Sequence, residues 1–231
     1  MPPILYLDNQ RFIINTCPEL LQAHPSALKI KSELQRKVTP FSGGYEWDLI
    51  LDQGKLLADE VGIDSEMAIY LYVAEVKVSG LAGAANGLEL LYQSLLYDVT
   101  QARLDVAHFA PLLEWANQQV AKEITDLRTS YEVLRDLYRI ECYCERLSHL
   151  FQTHAPQVKV DFATLAMLIF QHVDAIETSY QAACKRQGSQ PVQVEVKAKS
   201  SPLSGYSKVH LTMAFAIGAA VAALLSVLLT G

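Results

Sequence analysis

The chain has 231 residues, 51% apolar and 19% charged, a balance that suits a folded protein and excludes a disordered one. Its formal net charge is −6, with Lys and Arg scattered rather than gathered into a basic stripe, which argues against a nucleic-acid partner. Four cysteines (Cys17, Cys142, Cys144, Cys184) in a chain of this size do not make a disulfide framework. The opening Met1-Pro2-Pro3-Ile4 has no basic region followed by an apolar run, so the body of the protein is expected in the reducing cytosol.

Residues 1–44 hold five prolines (Pro2, Pro3, Pro18, Pro25, Pro40) and the pair Gly43-Gly44, and read as irregular or short extended segments, with a strand at Ile4–Leu7 or Phe12–Ile14. From about Glu46 to Val61, the residues Trp47, Ile50, Leu51, Leu57, Ala58 and Val61 recur at helical spacing. Gly62 then supplies a stop, and Asp64 an N-cap for the next helix. That helix, about Ser65 to Ser79, is apolar on most sides, as the central member of a bundle would be. After Ser79-Gly80 a third helix carries Ala84, Leu88, Leu91 and Leu95 on one stripe.

A second block begins near Asp105. Val106, Phe109, Leu113, Ala116 and Val120 form a seam that continues through Ile124, Leu127, Tyr131 and Leu134. The seam then shifts to Leu137, Ile140, Cys144, Leu147 and Phe151, which predicts one long helix ending at Ala155-Pro156. Asp161 caps a last helix in which Phe162, Leu165, Ile169, His172 and Ile176 share a face.

The stretch after it is rich in Gln, Ser, Pro, Val and Lys without helical period and reads as a flexible linker. Leu211 to Thr230, LTMAFAIGAAVAALLSVLLT, carries no charge and matches the ~20 residues that cross a hydrocarbon core. Lys185, Arg186, Lys197, Lys199 and Lys208 precede it and no basic residue follows, so the positive-inside rule leaves the N-terminal part in the cytoplasm. Ala214, Gly218 and Ala222, spaced by four, form a small-residue ridge on which two such spans can pack. The expected architecture is all-α: a helical domain over 1–100, a second block with a long antiparallel helix over 101–186, a linker over 187–208 and a transmembrane helix over 209–230. Either the chain is tail-anchored or it is the front part of a longer protein.

Chemistry is hard to find. Cys142 and Cys144 point to nearly opposite sides of a helix and cannot share a metal, and Cys144 on the apolar seam reads as core. His149 and His154, five apart, are also off a common face. His172 is the candidate base for a membrane-bound hydrolase, against the plainer reading of a hydrogen-bonded core or groove histidine. Ser79 to Gly87 looks like a glycine-rich phosphate loop, but it follows a helix and lacks Gly-Lys-Ser/Thr. Gly80, Gly83, Ala84 and Gly87 read instead as a tight turn with close helix packing. The sequence predicts no enzyme, no cofactor and no metal site.

Residues 45–96 carry one further signal. Trp47 opens a helix, Leu56-Leu57 follow, Asp64 marks an acidic turn, Ala68 and Leu71 sit in the next helix, and Gly80-Leu81, Gly83, Gly87-Leu88 and Leu90-Leu91 form a glycine-leucine junction. This resembles the N-terminal domain of the ImpA/TssA family of bacterial type VI secretion systems. The pattern departs at Ile63-Asp64-Ser65, where Lys-Asp-Leu is usual, at Ala84, and at Tyr97-Asp98, where a tryptophan is usual. With a membrane segment after it, the chain resembles the TagA/VasL branch of that family. The resemblance implies a membrane-tethered scaffold that docks or stops the growing tail sheath and tube at the bacterial inner membrane. TssA, sheath and baseplate components would be its partners, with a homo-oligomer also compatible. Trp47, Gly80, Leu81, Gly83 and Gly87 are the expected partner-contact residues. The alternative is a generic tail-anchored adaptor or regulator unrelated to secretion.

Overall fold

A two-residue turn opens the fold. In the computed structural model, Asp8 and Asn9 both have positive φ (46° and 64°), as the hairpin turn between right-twisted strands requires. They join β1 (Ile4–Leu7) to β2 (Gln10–Ile13) in a two-stranded antiparallel sheet, with Ile4 opposite Ile13 and Leu7 opposite Gln10. Alternation puts Leu5, Leu7 and Phe12 toward the core and leaves Ile4 and Tyr6 in solvent. The expected strand at Ile4–Leu7 is β1, and the one expected at Phe12–Ile14 is β2 shifted to Gln10–Ile13, the two forming one hairpin.

The structure describes residues 3–14, 17–38, 43–101, 103, 105–126, 130–157 and 160–186. All of these belong to one unit, Met1–Gly188. The second unit, Ser189–Gly231, lies wholly outside the described residues. So do the linker expected at 187–208, the span expected at 209–230, and Ala214, Gly218 and Ala222.

The proline-rich opening is more ordered than the composition suggests. Pro18 and Pro25 do not break helices but start them, each at the first helical position of α1 (Pro18–Ala23) and α2 (Pro25–Gln35). There the missing N–H has no intrahelical partner to lose. His24 caps α2, its Nδ1 accepting the Ser26 N–H at 3.3 Å.

Helix α3 (Trp47–Glu60) ends as expected. Gly62 adopts φ 100° and its N–H reaches the Leu57 carbonyl at 2.9 Å, closing the last turn. Next to it, Ile63 forms a parallel bridge with Ile14, and its N–H bonds the Ile13 carbonyl at 2.9 Å. The Asp64 carboxylate then accepts the Met67 N–H at 2.8 Å and caps α4 (Ser65–Thr100).

Helix α4 is the centre of the fold. Helical conformation is interrupted at Gly80 (φ 61°, ψ −132°), where the chain turns back, so residues 65–79 and 81–100 are two antiparallel arms. The fold-back follows from what meets across it: Gly83 sits against Glu75, Gly87 against Tyr72, and the Ser94 hydroxyl lies 3.2 Å from that of Ser65. By length and composition α4 is the one helix among the described residues apolar enough to cross a membrane. It is nevertheless two-thirds buried inside this unit, as a core helix is.

Beyond α4 the long helix expected from the continuous seam is two helices, α5 (Val106–Asp126) and α6 (Leu134–His154). Between them Ser130 is extended (φ −124°, ψ 168°) and a single 3₁₀ turn spans Tyr131–Val133. The seam residues are correct on both sides of the break: Phe109, Leu113, Ala116, Val120 and Ile124, then Leu137, Ile140, Cys144, Leu147 and Phe151, are all buried. Tyr131, expected on the seam, is instead 61% exposed. The break is needed because α5 and α6 both pack on α4, which one straight rod cannot do with two separate faces of a hairpin.

Helix α7 (Ala163–Arg186) is capped by Asp161, whose carboxylate accepts the Thr164 N–H at 2.9 Å. It runs antiparallel to α6: Phe162, just before α7, meets Phe151 near the end of α6, while Glu177 and Tyr180 toward the end of α7 meet Tyr138 near the start of α6 and Tyr131 just before it. The expected 1–100 and 101–186 blocks thus share a single apolar core, which runs from Leu7 through α4 to Ile176. Among the described residues the protein is mostly helical, with one small sheet.

Candidate functional site

The site is assembled at the turn of α4. Gly80 is there for its backbone angle, since a Cβ at this position would meet nothing within 4 Å but would sit at positive φ. Gly83 and Gly87 are there for space. A Cβ on Gly83 would lie 1.9 Å from the Glu75 carbonyl oxygen, and one on Gly87 would lie 2.8 Å from the Tyr72 Cα. The two arms therefore meet backbone to backbone. Leu81, one residue past the turn, is only 6% exposed. Of the five expected contact residues, Leu81, Gly83 and Gly87 are thus consumed by packing. What the turn offers to solvent is Val78, Ser79 and Ala82. Trp47 stands on the first turn of α3, half-buried, with its ring edge-on to Tyr45 at 5.4 Å.

Beside this turn is a polar cleft of about 170 Å³, lined by Leu7, Asp8, Gln10, Phe12, Lys55, Glu75, Ser79 and Asn86. Trp47 is not among its lining residues. Lys55 Nζ lies 3.4 Å from Glu75 Oε1. Burial pushes the Glu75 carboxyl above its ordinary range, and the Lys55 ammonium and the Ser79 hydroxyl pull it back. Asn86 Nδ2 donates to the Asp8 carboxylate, and its Oδ1 accepts from Arg139 Nη2 at 2.9 Å. Arg139 also holds Glu89 at 3.0 Å and Asp136 at 3.4 Å. An ammonium (Lys55), four carboxylates (Asp8, Glu75, Glu89, Asp136), an amide (Asn86) and a guanidinium (Arg139) thus gather around the apex from the β1–β2 turn, α3, α4 and α6.

Sequence reading missed this cleft. One signal for it exists: Glu75 sits within the apolar run from Met67 to Val76, and a charge there calls for a partner. Its mates Asp8, Lys55, Asn86 and Arg139 converge only through the fold.

A second polar group lies where the arms' other ends meet. The Ser65 hydroxyl donates to Asp98 and neighbours Ser94, all three buried. Burial raises the Asp98 carboxyl, while Ser65 and Arg103 oppose the rise.

The side chains read as possible chemistry are placed as follows. Cys144 is fully buried and its thiol is pushed up to about 12, which makes it inert as a nucleophile. Cys142 and Cys184 are exposed, as are His149 and His154. His172 Nε2 donates to the Ile124 carbonyl at 3.1 Å, tying α7 to α5. Among the described residues no three Asp, Glu, His or Cys side chains gather as a metal ion needs.

No family model matches this chain, and neither a curated protein nor a solved structure does.

Proposed function

We propose that this protein is a non-enzymatic, membrane-tethered scaffold of a type VI secretion system, working at the bacterial inner membrane with its helical body in the cytoplasm. The observation that carries the reading is the glycine junction. The residues on which the ImpA/TssA resemblance rests, Gly80, Gly83 and Gly87, are the ones that close the α4 hairpin at the centre of the fold. Their service to packing supports a shared domain design rather than a chance run of glycines.

The physical logic is confinement. One span and a linker hold the helical body within reach of the membrane surface, which raises its effective concentration for a sheath-tube end arriving there. The polar apex, with Lys55, Asp8 and Glu75 beside the exposed Val78, Ser79 and Ala82, is the part of the domain we assign to contacts with TssA, sheath or baseplate components.

The test uses the full chain, extracted in mild detergent and mixed with purified TssA and, separately, with assembled sheath. Retention of either on the immobilised protein, and its loss with Lys55→Glu, is the expected result. No retention of either, or release of the chain from native membranes by alkaline carbonate, overturns the proposal.

A further inference from the structure

The β hairpin leaves a strand edge open. The Ile14 N–H bonds the Pro3 carbonyl at 3.0 Å, which makes Pro3 and Ile14 a hydrogen-bonded pair. In the antiparallel register such pairs alternate, so Leu5–Phe12 and Leu7–Gln10 also exchange bonds, while Ile4–Ile13 and Tyr6–Arg11 do not. The N–H and C=O groups of Ile4 and Tyr6 therefore point away from β2. Strand β1 has β2 as its single strand neighbour, and among the described residues nothing bonds those four groups.

The usual protections of an edge are missing on this side. Residues 3–7 bear no charge and contain no bulge. Pro3 does not blunt the edge either, because its missing N–H faces β2. The side chains that flank the edge are large, apolar and in solvent: Ile4 is 52% exposed and Tyr6 68%.

We propose that β1 is a self-pairing edge, joined antiparallel to the β1 of a second copy about a two-fold axis through Leu5. In that register Ile4 of one copy faces Tyr6 of the other, and each outward N–H meets an outward C=O. All four orphan groups of both copies are satisfied, and a continuous sheet β2-β1-β1-β2 results. On its solvent face, Ile13 and Ile4 of one copy align with Tyr6 of the other, so that exposed apolar side chains cover one another as cross-strand pairs. A second copy fits better than a foreign strand because the register is self-complementary and brings no charge against charge. Arg11, the nearest charge, is already held by Asp59 at 2.7 Å. The edge is four residues long, so the contact is smaller than the ~1,200–2,000 Å² of stable interfaces and forms a reversible, concentration-dependent dimer.

The register itself can be tested. The full chain in detergent is prepared with Cys17, Cys142 and Cys184 replaced by Ser, carrying either Ile4→Cys or Tyr6→Cys. Both positions are exposed, and circular dichroism checks that folding is unchanged. Under mild oxidation the mixture of the two variants is expected to form several times more disulfide dimer than either alone, because residue 4 faces residue 6. Adding Ile4→Lys to the Tyr6→Cys chain and Tyr6→Lys to the Ile4→Cys chain, which places Lys beside the crossing point, is expected to abolish the excess. Equal cross-linking in mixed and single samples, as pairing through any other surface would give, or none at any concentration, overturns the proposal.

Discussion

Two helical pairs in this molecule are antiparallel, and they are held in opposite ways. The arms of α4 touch through absence: Gly83 and Gly87 remove the side chains that would keep the backbones apart, and Tyr72 fills the hollow against Gly87. Helices α6 and α7 touch through bulk, with Phe151 stacked on Phe162 at 6.2 Å, Tyr131 on Tyr180 at 5.2 Å, and Leu147 and Ile169 buried in the shared core. Bulk can shrink or shift at moderate cost, because neighbouring side chains relax. A backbone-to-backbone contact has no such slack.

The contrast is sharpest at Gly83. Gly83→Ala drives a Cβ into a carbonyl oxygen of the other arm, and no rotamer relieves it, so a loss of about 4 kcal/mol or failure to fold is expected in a denaturant titration. A change of less than about 1 kcal/mol would show that the arms can separate freely, and the comparison would fall. On the other pair, Ile169→Ala leaves a cavity that α6 can partly close, with an expected loss of about 2–4 kcal/mol by the same measurement. Tyr72→Phe probes the hollow against Gly87 from its other side. The Tyr72 hydroxyl is fully buried with no hydrogen-bond partner among the described residues, so its removal is expected to raise the melting temperature, by about 1 kcal/mol of stability. A fall of that size would reveal a partner for the hydroxyl.

The smallest effect is in pH, and its sign differs between the pairs. Between the arms of α4, burial raises the Asp98 carboxyl. From the ordinary aspartate range up to that raised value the folded state holds more protons than the unfolded one, so stability falls as pH climbs through the window, and Asp98→Asn flattens that slope. At the start of α7, hydrogen bonds from Thr164 hold the Asp161 carboxyl below its ordinary value. Its contribution is complete above the ordinary aspartate range and lost as pH falls through the lowered one, and Asp161→Asn removes that acid-side loss. Thermal melts of both variants across the carboxylate range check the opposite signs.

Local signals carried much of this fold in the sequence. Gly62, Asp64 and Asp161 act as the stop and the caps that their positions suggest, and Gly80, Gly83 and Gly87 as the turn and close packing. Signals with two meanings misled. Pro18 and Pro25 read as breakers but start helices, and the apolar period runs on through Ile124 to Leu134 although the backbone does not. The polar cleft left one mark in the sequence, Glu75 within an apolar run, and its other members stayed hidden because nothing in the spacing of Asp8, Lys55, Asn86 and Arg139 brings them to one place. The return of α4 brings Asn86 back beside Glu75, and the packing of the hairpin, α3 and α6 on α4 brings the rest.

The hairpin also sets an order of events. Arg11 reaches Asp59 across 48 positions, Asp8 reaches Asn86 across 78, and Ile14 bridges to Ile63. A chain made from its N-terminus delivers both strands well before the surfaces that receive them. During synthesis the hairpin has no complete dock until α3 and both arms of α4 have left the ribosome, so those contacts close late and carry the entropy of long loops. Refolding followed by hydrogen exchange would find the strand amides protected after those of α4.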